Sequence, residues 1–127
     1  MTAGDGREEG AAVVDFVLVS ALLTLLFLAV VQLALVLHVR NTLTDAASSG
    51  ARYGALADRG AEDARRRAVD LISSALGAGY ARDVSAAEVN RSGVPVLEVH
   101  IKAPLPVIGL IGPSAGLEVG GHAAIQR

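Results

Sequence analysis

The stretch Phe16–Val39 reads FVLVSALLTLLFLAVVQLALVLHV and decides the fold. It contains no Asp, Glu, Lys or Arg, and its few polar side chains are scattered among Leu, Val and Ala. As an α-helix it would extend about 36 Å, which exceeds the roughly 30 Å of a bilayer's hydrocarbon core. Apolar residues occupy every side of this helix, whereas a surface helix of a soluble protein keeps a polar face. The stretch therefore predicts a transmembrane helix.

Two other structures fit this stretch less well. A buried core helix of this length would need more surrounding protein than residues 40–127 provide. A cleaved secretory signal has a shorter apolar region of about 7–15 residues after a basic start. Here the amino-terminal segment is acidic, with Asp5, Glu8 and Glu9 against a single basic residue, Arg7. We therefore predict a permanent anchor.

Composition divides the chain into three segments. The chain has 127 residues, of which 52% are hydrophobic and 19% charged, with a net charge of −2 and no cysteine. These values exclude a disordered chain, a disulfide framework and a thiol nucleophile, and they give no electrostatic footprint for nucleic acid. The segments are an acidic leader (1–15, net charge −3), the membrane helix (16–39) and a small domain (40–127, net charge +1).

Helical periodicity continues beyond the membrane run. Small residues recur at spacings of three and four, at Ala47, Gly50, Ala51 and Gly54. We expect the first helix to run from about Ala12 to about Leu56, because no proline interrupts it. Small residues let backbones approach closely, so the stripe packs either on the protein's own domain or against other protomers. A second helix is predicted over Ala61–Leu76, with acids in its first turn and glycine after its end.

The remaining sequence has the two-residue period of β-strands. It predicts a strand over Pro95–Lys102, a weaker strand over Val84–Asn90 joined to it through a hairpin at 90–93, and a third strand near Leu117–Ile125 weakened by two glycines. The fold class is therefore α+β: one long helix, half of it in the membrane, a second helix and a small antiparallel sheet. The apolar loop 104–116 would pack on the helix or touch the membrane interface.

One motif has the form of a catalytic site. Gly112–Gly116 matches G-x-S-x-G, the nucleophile elbow of hydrolases, with Ser114 as the nucleophile. That mechanism needs a strand before the serine and a helix after it, but Pro113 precedes Ser114 and no helical pattern follows. We therefore expect no enzyme and no cofactor, and a small anchored hydrolase remains an alternative to be tested by Ser114→Ala.

Three other patterns have simple explanations. The histidines, His38, His100 and His122, lack the paired spacing of metal ligands, so no metal site is expected. The run Arg65–Arg67 is expected to be a solvated helix face, with contact to anionic lipid as the alternative. Asn90–Ser92 fits the acceptor pattern for N-glycosylation, a short pattern that is also common by chance.

An acid stands immediately before the apolar run. Asp15 would be costly in hydrocarbon, so its position invites a functional explanation. It is either an interfacial aspartate favoured by the amino end of a helix, or the partner of a positive group inside an assembly, such as a freed α-amine.

Taken in order, these motifs resemble those of the TadE-like proteins, pseudopilin-like components of tight-adherence (Flp-type) pilus systems. The resemblance rests on Glu8–Phe16 (EEGAAVVDF), the long apolar helix and Asn41–Gly54, which contains AA followed by GARYG. It covers about residues 7–57. The Val-rich strand and the loop 104–110 resemble the family less specifically.

The resemblance implies how the amino-terminal segment works. In related prepilins a dedicated peptidase cuts after the glycine, and an acid at the fifth mature position helps subunits assemble. Carried over, this implies processing between Gly10 and Ala11 and an assembly role for Asp15 and the adjacent Phe16. The sequence departs from the family in having Asp where Glu is usual and only one basic residue in its leader.

The resemblance also implies a topology, with a cytoplasmic amino end and the carboxyl domain outside the membrane. The flanking charges favour the opposite orientation, because Arg40 and Arg52 outnumber Arg7 and basic residues concentrate on the cytoplasmic side. We follow the family order, since the charge bias rests on two residues against one.

The function implied by the resemblance is non-enzymatic. The chain would be a minor pilin-like or assembly component of a tight-adherence pilus or related secretion system. Its partners would be other pilin-like subunits, assembly-platform proteins, a prepilin peptidase and membrane lipid, with no nucleic acid. The apolar helix and the small-residue stripe would be the packing surfaces. The alternative is a membrane-tethered interaction module unrelated to pili.

Overall fold

The computed structural model describes residues 3–104 and 116–126, which form two helices followed by three strands. The elements are α1 (Ala3–Gly54), α2 (Ala61–Leu76), β1 (Asp83–Arg91), β2 (Val94–Pro104) and β3 (Gly116–Ala124). The predicted fold class, with a long apolar helix, a second helix and an antiparallel sheet, is therefore confirmed. Ser114 and nearly all of the apolar loop lie outside the described residues. The chain divides into two compact units, residues 1–34 and 35–127.

Helix α1 begins earlier than its apolar pattern predicts, at Ala3 instead of about Ala12, and ends at Gly54. Glu8 and Glu9 lie near the amino end of this helix, where the helix dipole favours negative charge. In the first unit the large apolar side chains are exposed, and Phe16 is 73% exposed. By length and composition, α1 is the one helix among the described residues that could cross a membrane.

In the second unit, one face of α1 is buried. Its buried residues recur at spacings of three and four: Val39, Leu43, Ala46, Ala47, Gly50, Ala51 and Gly54. Most of them are small, so α2 packs close to this face through its own buried residues Ala64, Ala68 and Ile72. Such burial of apolar surface is the dominant stabilising contribution to folding.

Helix α2 has the bounds that its sequence predicts. Asp63 accepts a hydrogen bond from the backbone N–H of Gly60 (3.0 Å), which satisfies a donor at the amino end of the helix. At the other end, the backbone N–H of Gly77 donates to the carbonyl of Ser73 (3.1 Å). Gly77 has φ +99°, a conformation that glycine adopts without steric cost.

The sheet has the order β1-β2-β3, and both strand pairs are antiparallel. The central strand alternates, with Leu97, Val99 and Ile101 fully buried. Strands β1 and β2 are joined at Ser92 (φ +53°) and Gly93 (φ +87°), the positive φ values that a tight two-residue hairpin turn requires.

The glycines that were expected to weaken the third strand include one that its packing requires. A β-carbon built at Gly121 would lie 2.5 Å from the Ser48 nitrogen and 2.6 Å from the Ala47 carbonyl carbon. These are backbone atoms of α1, which cannot rotate away. Gly121 therefore lets β3 approach the helix, and the strand forms in spite of glycine's low strand propensity.

Candidate functional site

The membrane-entry segment, defined as Gly10, Ala11, Asp15 and Phe16, lies on α1 with all four residues exposed. A β-carbon at Gly10 would meet no atom within 4 Å. Among the described residues, no hydrogen bond or ion pair involves Asp15. The segment is therefore open to a peptidase, a lipid or another protein, and its roles in processing and assembly stay predictions.

One hydroxyl in the apolar part of α1 is satisfied within the helix itself. The hydroxyl of Thr24 donates to the backbone carbonyl of Ser20 (2.8 Å). In hydrocarbon no water is present to replace such a bond, so a hydroxyl that bonds within its own helix is compatible with membrane burial. From Val13 to Val30 the large apolar side chains are about half or more exposed, and Phe27 is 66% exposed. This surface is suited to lipid or to the helices of other proteins.

The small-residue stripe, defined as Ala47, Gly50, Ala51 and Gly54, lies inside the protein's own second unit. A β-carbon at Gly50 would lie 2.8 Å from the carbonyl oxygen of Ala64, and one at Gly54 would lie 2.5 Å from the Ala64 β-carbon. Ala47 and Ala51 are fully buried. Of the two expected uses of the stripe, the structure contains packing on the chain's own domain. Another subunit could not reach these residues in this conformation.

An open groove lies beside this stripe, between α1 and α2. Its volume is about 360 Å³, and it is lined by Thr42, Asp45, Ala46, Ser49, Arg52, Leu71 and Ala75. The Thr42 hydroxyl donates to the carbonyl of His38 (2.9 Å), so its methyl group is left for packing. No motif in the sequence marks this groove, although Asp45, Ser49 and Arg52 recur at helical spacing outside the small-residue stripe.

Arginines surround the tyrosine of the GARYG motif. The guanidinium carbon of Arg59 lies 4.7 Å from the centroid of the Tyr53 ring, and that of Arg67 lies 5.7 Å from it. Both distances fall within the range of cation–π attraction. Arg65 instead donates from Nε to both carboxylate oxygens of Glu62 (3.2 and 3.1 Å). This hydrogen bond lowers the pKa of Glu62 and raises that of Arg65.

A charged cluster occupies the exposed face of the sheet. Glu98 on β2 pairs with Arg91 on β1, and its other carboxylate oxygen lies 3.3 Å from the Nε2 of His100. The hydrogen bond with His100 lowers the pKa of Glu98, and Arg91 lowers it further. His122 lies across the strands from Glu98. Glu98 and His100 share a strand face by their spacing of two, whereas Arg91, whose register partner is Val94, reaches Glu98 through its long side chain.

The three histidines lie in two different parts of the described fold. No group of three His, Cys, Asp or Glu side chains within it could hold a metal ion. His38 lies on α1, whereas His100 and His122 lie on neighbouring strands. The remaining motif, Asn90–Ser92, ends β1 at the hairpin turn, where all three residues are exposed.

Comparison with known proteins gives a family match for the first helix. Residues 10–52 match the family model described as TadE-like protein. The resemblance predicted from the motifs is therefore confirmed, and the match begins at the glycine before the anchor and ends within the GARYG motif. No curated protein and no solved structure gives a significant match.

Proposed function

We propose that this protein is a non-enzymatic, membrane-anchored minor pilin-like or assembly component of a tight-adherence pilus or related secretion system. One observation carries the proposal: the TadE-like match over residues 10–52 includes the stretch Val13–Val30 of α1, whose large apolar side chains are about half or more exposed. A helix that served only as a core element would bury this surface within its own chain. Here lipid, pilin-like subunits and assembly-platform proteins are the partners that can cover it.

The proposed topology has residues 1–15 in the cytoplasm and residues 40–127 outside the membrane. Lys102 tests it, because it is the one lysine in the sequence and its side chain is exposed. A membrane-impermeant amine reagent applied to intact cells is expected to label Lys102. Labelling only after the cells are broken would refute the orientation. A Lys102→Arg variant controls for labelling at the α-amine.

The assembly role is proposed for Asp15. Asp15→Ala should leave membrane insertion intact and reduce both piliation and co-purification of pilin-like partners, because the exposed carboxylate would lose its pairing with a positive group in the assembly. Glu9→Ala is the matched control, since it removes an exposed acid from the same helix outside the match. Unchanged piliation and co-purification in Asp15→Ala would refute the role.

Processing by a prepilin peptidase is proposed at the bond between Gly10 and Ala11. The intact mass and the amino-terminal residue of protein recovered from membranes decide it. A chain beginning at Ala11 supports the proposal, and a chain beginning at Met1 refutes processing while leaving the anchor in place.

The alternative, a membrane tether unrelated to pili, makes a different prediction. Replacing residues 16–39 with an unrelated apolar helix of equal length preserves anchoring but changes every side chain that faces a neighbour. A tether would keep its function after this exchange. A pilin-like subunit would lose assembly, because helix association in membranes depends on close side-chain packing.

A further inference from the structure

The tip of the β1–β2 hairpin carries an Asn-x-Ser sequence that the proposed function does not use. Asn90 is the last residue but one of β1, and Ser92 begins the two-residue turn that leads into β2. All of Asn90, Arg91, Ser92 and Gly93 are exposed. The position between Asn and Ser is arginine and not proline, as an N-glycosylation acceptor requires.

The side-chain geometry leaves the reactive groups free. The Oδ1 of Asn90 accepts a hydrogen bond from the backbone N–H of Gly93 (2.8 Å), which fixes the carboxamide over the turn. Among the described residues, the Nδ2 of Asn90 and the hydroxyl of Ser92 have no hydrogen-bond partner. The acceptor nitrogen and the hydroxyl by which the motif is recognised are thus exposed together on one ordered turn.

The β1–β2 hairpin also packs far along α1 from Val39, the last residue of the apolar run. Leu97, near the tip end of β2, packs at Gly54, the last residue of α1. Gly54 lies fifteen residues beyond Val39, which corresponds to about 22 Å along a helix. Because Asn90 is exposed and lies outside the core, a bulky polar group on it would displace no core side chain.

We propose that Asn90 is an N-glycosylation site, taking its glycan from a lipid-linked saccharide diphosphate on the outer face of the membrane. This inference rests on the proposed function, because that function places residues 40–127 outside. In the reaction, the Nδ2 of Asn90 forms a bond to C1 of the first sugar. The bond between C1 and the diphosphate oxygen breaks, its electron pair leaves with the lipid diphosphate, and Nδ2 loses one proton.

The experiment is peptide mapping of the full chain recovered from membranes of its source cells. Trypsin cleavage after Arg82 and Arg91 releases Asp83–Arg91, which contains Asn90 as its one asparagine. If cleavage beside the glycan is blocked, the fragment extends to Lys102. The expected result is a saccharide mass on Asn90 in the fragment spectra.

Three variants give matched controls. Asn90→Gln removes the acceptor, and Ser92→Asn removes the hydroxyl while keeping a residue that tolerates positive φ; both are expected to abolish the added mass. Asn41→Gln changes the other asparagine of the chain, which lies outside an acceptor motif, and should leave the mass unchanged. Because Ser92→Asn keeps Asn90 and suits the positive φ at position 92, loss of the mass in this variant reports loss of the recognised hydroxyl.

The outcomes separate this inference from the proposed function. Lys102 labelled from outside together with an unmodified Asn90 refutes the glycosylation site and leaves the pilin-like function standing. Added mass that persists in Asn90→Gln places the modification elsewhere and also refutes the site. An unlabelled Lys102 on intact cells refutes the orientation, and with it both the outer-face donor and this site.

Discussion

Replacing Gly121 with alanine tests whether close approach of β3 to α1 holds the second unit together. The new β-carbon would lie 2.5–2.8 Å from backbone atoms of Ala47 and Ser48, well inside van der Waals contact. Since no side-chain rotation relieves it, the strand or the helix must shift. Overpacking of this kind costs about 1–3 kcal/mol, and alanine's better strand propensity returns roughly 0.5–1 kcal/mol.

The assay is thermal unfolding of the full chain in detergent micelles by circular dichroism. A domain of this size loses about 4–8 °C in Tm per kcal/mol, so Gly121→Ala should lower the Tm by several degrees or more. Hydrogen exchange should increase in β3 first, because that strand is displaced.

Gly120→Ala is the matched control for this prediction. A β-carbon at Gly120 would lie 3.5 Å from the Nδ1 of His100, an ordinary contact with a side chain that can move. This variant should keep or slightly raise the Tm. If Gly121→Ala unfolds at the same temperature as Gly120→Ala, the close helix–strand approach does not limit stability and the reasoning is wrong.

Three further changes probe other parts of the domain. Leu43→Ala removes a fully buried side chain of α1 and should lower the free energy of unfolding by about 2–5 kcal/mol in denaturant titration. Gly93→Ala forces alanine to φ +87° and should cost about 1–2 kcal/mol, whereas Gly79→Ala, which has open space and no positive φ, should be neutral. The pKa of Glu98 is lowered by His100 and Arg91, so its stabilisation is present above the unfolded pKa near 4.3 and is lost as the pH falls through the lower folded value. Stability measured between pH 5 and pH 3 should therefore fall more steeply in the native chain than in Glu98→Gln, and equal slopes would show that the cluster does not contribute.

Periodicity alone predicts most of the fold, because its elements differ in their repeat. The apolar run predicts the membrane helix, and the three- and four-residue spacing of apolar residues predicts α2. The alternation of apolar and polar residues around Val99 predicts the central strand. Periodicity predicts a start of α1 near Ala12, later than the observed Ala3, because the leader has no apolar repeat. Its acids stabilise a helix through charge, and this effect is not visible as a pattern of hydrophobic residues.

The candidate surfaces are harder to predict because they depend on which elements meet. The spacing of Gly50 and Gly54 predicts close backbone approach, but it does not specify whether the neighbour belongs to the same chain. The partner is α2, through Ala64. Likewise, the pair Gly120-Gly121 predicts a weak strand from the sequence alone. Only the position of α1 beside β3 shows that Gly121 is needed for close packing. The groove between α1 and α2 has no linear signature, since it forms only when Leu71 and Ala75 of α2 dock beside the lining residues of α1.

The last described residues have a consequence for the timing of folding during biosynthesis. The backbone N–H of Gln126 donates to the carbonyl of Ala55 (2.8 Å), and that of Ile125 donates to Pro95 (3.0 Å). The ribosome makes residue 55 long before residue 126, and formation of such distant contacts is slow. The hairpin of β1 and β2 can form while synthesis continues, but the face of α1 that β3 covers stays open until residue 126 emerges. A chain stopped before β3 would therefore present an anchored, half-covered helix, the kind of intermediate that chaperones and proteases recognise.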